Sequence, residues 1–399
     1  MRVDPATWRN RGGIERLLDA LDAANGGARF VGGAVRDALL GLPADDLDLA
    51  TPHPPDEVVR RLEAKGIKAI PTGIAHGTVT AVSSGTVVEV TTLRRDLAPD
   101  GRRATVAFTD DWAEDAARRD FTINALYADP LSGEVFDYVG GEADIAERRV
   151  HFIGKPLERI AEDHLRIMRF FRFHARFGQG EPDADALAAC AVRANDLMAL
   201  SRERIADELF KLLGLPNPAP TVGLMQRHAI LAPVLPELIS NAAEAVEALA
   251  AAERAVGTAP DPLRRLAAMI PRDPSLALRI AARLKLSKRA RKWLALASDP
   301  NLDTGARPLA YRIGTEAAVD RLLLAGRTAD AAGAAQWPLP RLPIGGGDLI
   351  ARGVTEGPGV AKTLREIEEN WITSGFPAGA SFDALVARVL ASSQSVKER

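Results

Sequence analysis

The chain has a single cysteine, Cys190, among its 399 residues. It can build neither an intrachain disulfide nor a multi-cysteine zinc site, and a reducing, cytoplasmic setting is expected. Aromatic residues are scarce, at 5%. No apolar run approaches the roughly 20 residues that cross a bilayer. The opening MRVDPATWRNRGG has no apolar h-region, so no secretion signal is expected. Excess charge is missing too: the net value is −2, and any nucleic-acid surface must therefore be a local patch. The six histidines are scattered and none is followed by Asp, which excludes an HD phosphohydrolase motif. No solenoid period is visible.

What is present is ordinary for a globular chain: 47% hydrophobic and 26% charged residues. The length suits two to four packed units. Ala, Leu and Arg become dominant after Glu158, which predicts an α/β front and an all-helical back.

The stretch Arg29 to Thr51 (RFVGGAVRDALLGLPADDLDLAT) organises the rest. Arg29-Phe30-Val31 reads as a short strand. Gly32-Gly33 breaks it, and Ala34 to Leu40 reads as a helix with Gly41 at its C-cap. Asp46-Leu47-Asp48-Leu49 alternates strictly, so Asp46 and Asp48 are expected on one face of a strand and the two leucines on the other. Two adjacent carboxylates repel unless a cation lies between them, and hard oxygen ligands suit Mg²⁺. The preceding Gly-Gly offers free backbone amides to an anion, and Arg36 adds a cation. A phosphate cradle beside a metal-binding acid pair is the equipment of phosphoryl or nucleotidyl transfer.

Helices are predicted over Ile14 to Ala24 and Asp56 to Ala64, and strands over Ile67 to Pro71, Gly77 to Ser83 and Thr86 to Leu93. If the last strand pairs beside Asp46 and Asp48, its Glu89 is a third carboxylate for the site; otherwise Glu89 is a solvent-facing acid. Arg94 to Arg103 (RRDLAPDGRR) reads as a basic loop. Asp110 to Tyr127 reads as a helix start followed by a helix, with Arg119 four residues after Asp115 and Asn124 four after Asp120.

In Arg159 to Phe177, Arg166, Arg169, Arg172 and Arg176 are spaced three, three and four. That is an arginine stripe on one helix face, self-repelling unless anions lie beside it. Asp163 and Arg166 can together offer an acceptor and donors in one plane, matching the amino and ring-nitrogen edge of cytosine or adenine. An internal salt bridge between them is the alternative. Helices dominate from Ser201 onward, where Ser201 is a candidate N-cap. Arg279 to Lys292 carries seven Lys and Arg and no acid, making it the candidate surface for a phosphate backbone.

Together these motifs resemble the DNA polymerase β-like nucleotidyltransferases, and in particular class II CCA-adding tRNA nucleotidyltransferases and bacterial poly(A) polymerases. Gly32-Gly33-Ala34-Val35-Arg36-Asp37 with Asp46-Leu47-Asp48 is similar to the first signature. Arg118-Arg119-Asp120-Phe121-Thr122-Ile123-Asn124-Ala125 is similar to the second. Glu162-Asp163 with Arg166, Arg169 and Arg172 resembles the nucleobase-selecting helix, and Glu203-Arg204-Ile205, Glu208 and Lys211 the motif after it. The resemblance implies an α+β N-terminal head with a small mixed or antiparallel sheet, followed by an all-α region of neck, body and tail. The corresponding boundaries are 1–150, 151–215, 216–300 and 301–399.

The resemblance also implies roles. Asp46 and Asp48 hold Mg²⁺, with Glu89 the possible third acid. Gly32, Gly33, Arg36, Arg118 and Arg119 line the triphosphate. Asp120 and Asn124 sit near the ribose, and Asp163 and Arg166 read the base. Arg169 and Arg172 help with the triphosphate and the helix position. The implied partners are tRNA, CTP and ATP, and the implied reaction is template-independent CCA addition to the tRNA 3′ end with release of pyrophosphate. Where poly(A) polymerases carry an Arg/Phe-rich strand, this chain has His76-Gly77-Thr78-Val79-Thr80. It also lacks their strongly basic tail and carries a DGR loop, Asp100 to Arg102. The strand and the missing tail favour CCA addition over a poly(A) polymerase; the DGR loop argues against a CC-only enzyme and leaves an A-adding enzyme open, and intact Asp46, Asp48 and Asp163 argue against a silent RNA-binding relative.

Overall fold

The computed structural model describes residues 1–44, 46–96, 106–302, 305–355 and 357–395. They form two compact units, Met1–Ser201 with Arg227–Val234, and Arg202–Gln226 with Leu235–Arg399.

The first unit carries all the strands. They are β1 (Arg29–Val31), β2 (Leu47–Thr51), β3 (Lys68–Gly73), β4 (Thr78–Ser83), β5 (Thr86–Thr92), β6 (Arg94–Asp96), β7 (Val106–Phe108), β8 (Leu126–Ala128) and β9 (Val135–Asp137). Seven of them make one mixed sheet in the order β3-β4-β5-β2-β1-β8-β9. Only β2 and β5 run parallel. Their separation in sequence is spanned by the helix Pro55–Ala64 and the β3–β4 hairpin, the kind of crossover a parallel pair requires. Alternation in β2 buries Leu47 and Leu49 and leaves Asp48 half-buried between them; Asp46, expected in the same strand, lies exposed in the bend just before it. Trp8 packs on Phe30 of β1, ring centroids 4.4 Å apart, to close the core at the N-terminal side.

Three sequence expectations need correction. The helix expected through Asp110 to Tyr127 is only Trp112–Ala117. A 3₁₀ turn, Thr122–Asn124, and β8 follow it. The backbone there is spent elsewhere: Thr122 N–H donates to the His151 carbonyl and Ile153 N–H to that of Asp120. Phe121 thus forms a bridge with Phe152, and this distant pairing outweighs local helix propensity. Next, Arg159 to Phe177 is two helices, Pro156–Glu162 and Arg166–Phe177. Asp163 lies in the break, in extended conformation, and not on the arginine helix. Finally, the loop expected from Arg94 begins as a strand, since β6 pairs antiparallel with β7. Asp100 to Arg102 lies outside the described residues.

The second unit is helical throughout its described residues. One core gathers Leu249, Leu309, Val319 and Leu322, and another gathers Leu349, Ile367, Trp371 and Val386. Asp261, Asp273 and Ser287 cap successive helices by accepting from first-turn amides. Below them Glu253, 1% exposed, takes salt bridges from Arg264 at 2.9 Å and Arg265 at 2.8 Å.

Candidate active site

A cleft of about 650 Å³ opens in the first unit, and Asp46 and Asp48 both line it. The parallel register places Asp48 directly opposite Glu89 of β5. Burial, then Glu89 and Asp46, push the Asp48 carboxyl up to about 6, while Arg119 opposes them. A bound cation would relieve this crowding, so the donor set fits a divalent metal. Among the described residues no three acid, His or Cys side chains form a ready cage. An ion here draws its remaining ligands from water and phosphate oxygens, which is how Mg²⁺ is commonly held. Glu89 is exposed and stands beside Asp48 without lining the cleft.

The glycines come next. Gly32 adopts φ 67°, ψ −121°, a backbone state that side chains disfavour. It turns the chain from β1 into the helix Gly33–Leu39, whose N-terminus has no side-chain cap. Both glycines border the cleft; the Gly32 N–H is taken by the Leu126 carbonyl at 3.0 Å, so it is the Gly33 amide, at a helix start with no capping side chain, that stands where an anion can use it. Arg36, one turn in, is buried. It pairs with Asp37 at 2.7 Å, donates to Asn124 Oδ1, and lies 4.1 Å from the centre of the Phe177 ring.

Arg118 and Arg119 are organised by Asp115, which is 1% exposed. Its carboxylate receives Arg118 at 2.7 Å, Arg119 at 3.0 Å, the Tyr127 hydroxyl at 2.6 Å and the Arg94 backbone N–H at 3.1 Å. Burial works to raise the Asp115 pKa, but the charges of Arg119 and Arg118 prevail and hold it at about 2. Asp120 accepts from Arg169 at 2.7 Å, from Asn124 Nδ2 at 3.2 Å and from the Phe121 N–H at 2.9 Å. Its pKa is lowered despite burial, chiefly by Arg169.

The arginine helix faces the same cleft. Anions are built into its stripe: Arg166 pairs with Glu162 at 2.6 Å, Arg169 with Asp120 at 2.6 Å, and Arg176 with Asp37 at 3.4 Å. The anions that the spacing calls for are thus acids of the chain itself at Arg166, Arg169 and Arg176. Arg172 lies 4.3 Å from the centre of the Phe173 ring. Arg166 also donates to the Arg159 carbonyl at 2.9 Å. Its carboxylate partner is thus Glu162, where the sequence offers an Asp163–Arg166 salt bridge as the alternative to base reading. Asp163 borders the cleft and accepts the Leu165 N–H at 3.1 Å.

The structure thus brings Gly32, Gly33, Arg36, Asp46 and Asp48 together with Arg118, Arg119, Asp120 and Asn124 around one cavity. Asp163, Arg166, Arg169 and Arg172 complete its wall. Glu89 alone of the expected set stands outside that wall. Sequence reasoning missed the supports. Asp115 showed only as an i,i+4 partner, although it stands three and four residues before the arginine pair. Tyr127 and Arg159 had no local signal at all.

A family described as "Poly A polymerase head domain" matches residues 28–151, and one described as "Probable RNA and SrmB- binding site of polymerase A" matches residues 181–241. The chain is 33% identical to the mitochondrial CCA tRNA nucleotidyltransferase 1 of Mus musculus, over 91% of this chain and 87% of that one. It is 31% identical to the CCA-adding enzyme of Lacticaseibacillus paracasei, over 90% and 92%. Among solved structures it is similar to the Bacillus stearothermophilus CCA-adding enzyme in complex with CTP. The TM-score is 0.73 at 26% identity, over 96% of this chain and 99% of that one. The Thermotoga maritima CCA-adding enzyme complexed with tRNA shares the fold, with a TM-score of 0.73 at 19% identity, over 98% and 96%.

Proposed function

The chain belongs to the CCA-adding tRNA nucleotidyltransferases, and from that premise we propose how its cleft performs the reaction. The protein adds CCA to the tRNA 3′ end from CTP and ATP, without a nucleic-acid template, and releases pyrophosphate. The family depends on a divalent metal; the hard carboxylate donors of Asp46 and Asp48 support Mg²⁺ as that metal and these two residues as its ligands. When bound, Mg²⁺ lowers the pKa of the attacking 3′-hydroxyl and offsets charge on the leaving pyrophosphate.

The protein's own residues do the rest. Gly32 shapes the turn that presents the Gly33 amide, and that amide with Arg36, Arg118 and Arg119 neutralises and aligns the triphosphate, which keeps the α-phosphate in line for attack. Asp120 and Asn124, locked to each other and to Arg169 and Arg36, form the ribose floor. Asp163 accepts from the exocyclic amino group, and Arg166 donates to the ring nitrogen beside it. Guanine and uracil present the opposite pattern and are rejected. Arg169 and Arg172 add positive charge toward the triphosphate. Glu89 contributes a third negative charge beside Asp48. Residues 1–150 act as the catalytic head and 151–215 as the base-selecting neck, with 216–300 the body and 301–399 the tRNA-binding tail. A single buried cysteine suits a reducing, cytoplasmic compartment.

The observation that carries this reading is one cleft lined by Asp48 of β2 and by Asp46 just before it, together with the arginines of two other motifs. The test is incubation of the purified protein with Mg²⁺, labelled CTP or ATP, and tRNA lacking its 3′ end. CMP and then AMP transfer is expected. Transfer of AMP alone, onto tRNA ending in CC, marks an A-adding enzyme, and no transfer of either defeats the reading.

A further inference from the structure

The two ends of a nucleotide bound as above would be gripped by different segments: the base by Asp163 and Arg166, the triphosphate by Arg118 and Arg119. The structure shows what ties those segments together. Arg159, 9% exposed, lies on the helix Pro156–Glu162, which ends at Asp163. Its guanidinium donates to the backbone carbonyls of both Arg118 and Arg119. These carbonyls follow the last turn of the helix Trp112–Ala117 and have lost their helical partners. Arg159 also pairs with Glu162 at 2.7 Å, and Glu162 pairs with Arg166 at 2.6 Å. Arg166 completes the ring, donating to the Arg159 carbonyl at 2.9 Å and the Arg118 carbonyl at 3.3 Å.

We propose that Arg159 is a positioning residue for nucleotide selection, a clasp that locks the base-reading corner to the backbone of the triphosphate arginines. This inference rests on the reading given under Proposed function. A planar fork holds two carbonyls and a carboxylate in fixed directions, whereas a lysine ammonium offers its three donors from a single rotatable nitrogen. A base that fits Asp163 and Arg166 then leaves both arginines in register for the α-phosphate. One that misfits shifts Arg166, and through the shared carbonyl of Arg118 it shifts the triphosphate grip. Selection is thereby expressed in the rate of transfer as well as in binding.

The test measures kcat and KM for CTP and for UTP on tRNA lacking CCA, in the wild type, Arg159→Lys, Arg159→Gln and Glu162→Gln. Glu162 is surface-accessible, so its variant keeps the question open even if Arg159→Gln fails to fold. In Arg159→Gln the CTP-over-UTP ratio of kcat/KM is expected to fall by about tenfold or more, the scale of one charge-assisted hydrogen bond. The fall should lie mainly in kcat for CTP, with KM changed little. Arg159→Lys should recover part of it, and Glu162→Gln should move the same way by less. Equal losses for CTP and UTP, with the ratio unchanged in every folded variant, would overturn the clasp while leaving the enzyme reading intact. A wild type that transfers neither CMP nor AMP would overturn both.

Discussion

Asp115 shows how one carboxylate can be worth more through its partners than through its own charge. With two guanidiniums and a tyrosine hydroxyl on it, its folded pKa is depressed from 3.8 to about 2. A depressed acid contributes stability above its unfolded pKa and loses it as pH falls through the folded one. That contribution is about 2 kcal/mol, fully present at neutral pH and gone below about pH 2. Asp115→Asn should therefore be less stable than wild type at pH 7, with the gap closing between pH 4 and 2. Denaturant titrations across that window measure it; a gap independent of pH would contradict the assignment. Asp48 is the opposite case, an acid held up at about 6 by burial and by Glu89. Asp48→Asn relieves that crowding but removes a carboxylate proposed to hold the metal. Mg²⁺ should raise the melting temperature of the wild type and not of the variant, and transfer should fall by several orders of magnitude, as when a catalytic ion is lost. Equal Mg²⁺ shifts in the two proteins would remove Asp48 from the metal site.

At the scale of elements, the turn from β1 into the helix Gly33–Leu39 depends on Gly32. A Cβ there would meet nothing nearer than 3.5 Å, so space does not forbid alanine. The backbone does: φ 67° with ψ −121° is costly for any L-residue. Gly32→Ala should cost about 1–3 kcal/mol and weaken CTP binding, because relaxing the strain swings the helix N-terminus away from the cleft. Calorimetry with CTP and a thermal melt check both effects, and normal CTP affinity would show that the Gly33 amide does not serve the triphosphate. The elements were unevenly legible. Helices and strands with clean periodicity, such as Pro55–Ala64 and β4, lie close to where the pattern put them. The long helix through Asp110 to Tyr127 failed because the carbonyls of Arg118 and Arg119 go to Arg159, about forty residues away.

For the whole molecule, stability is divided between two units, each with an apolar core and a buried charge network of its own. The first is held by a sheet and an aromatic cluster, with Phe121 and Phe152 at 4.8 Å and Phe121 and Phe173 at 5.3 Å. The second buries charge: Glu253 lies between Arg264 and Arg265, and Arg264 also reaches Asp320. Glu253→Gln leaves Arg265 in the interior without an acid, a loss of about 3–5 kcal/mol. The helical unit should then unfold at lower urea, splitting the far-UV signal into two steps, while CTP binding in water keeps its wild-type affinity. An unchanged single transition would show that the buried network contributes little.

Local pattern marked out the paired acids. Alternation is a property of the extended chain itself, so burying Leu47 and Leu49 keeps Asp48 out of the core; Asp46 precedes the strand and reaches the same cleft from the bend before it. The order of glycines, acids and arginines likewise points to nucleotide chemistry from the sequence alone. Only tertiary structure decided that Glu89 lies opposite Asp48, that Glu162 pairs with Arg166, and that Asp115 and Arg159 hold the arginine pair. Strand register and ion-pair choice depend on which distant segments meet when the chain packs. Residues far apart in sequence compete for the same partner, and burial decides the winner.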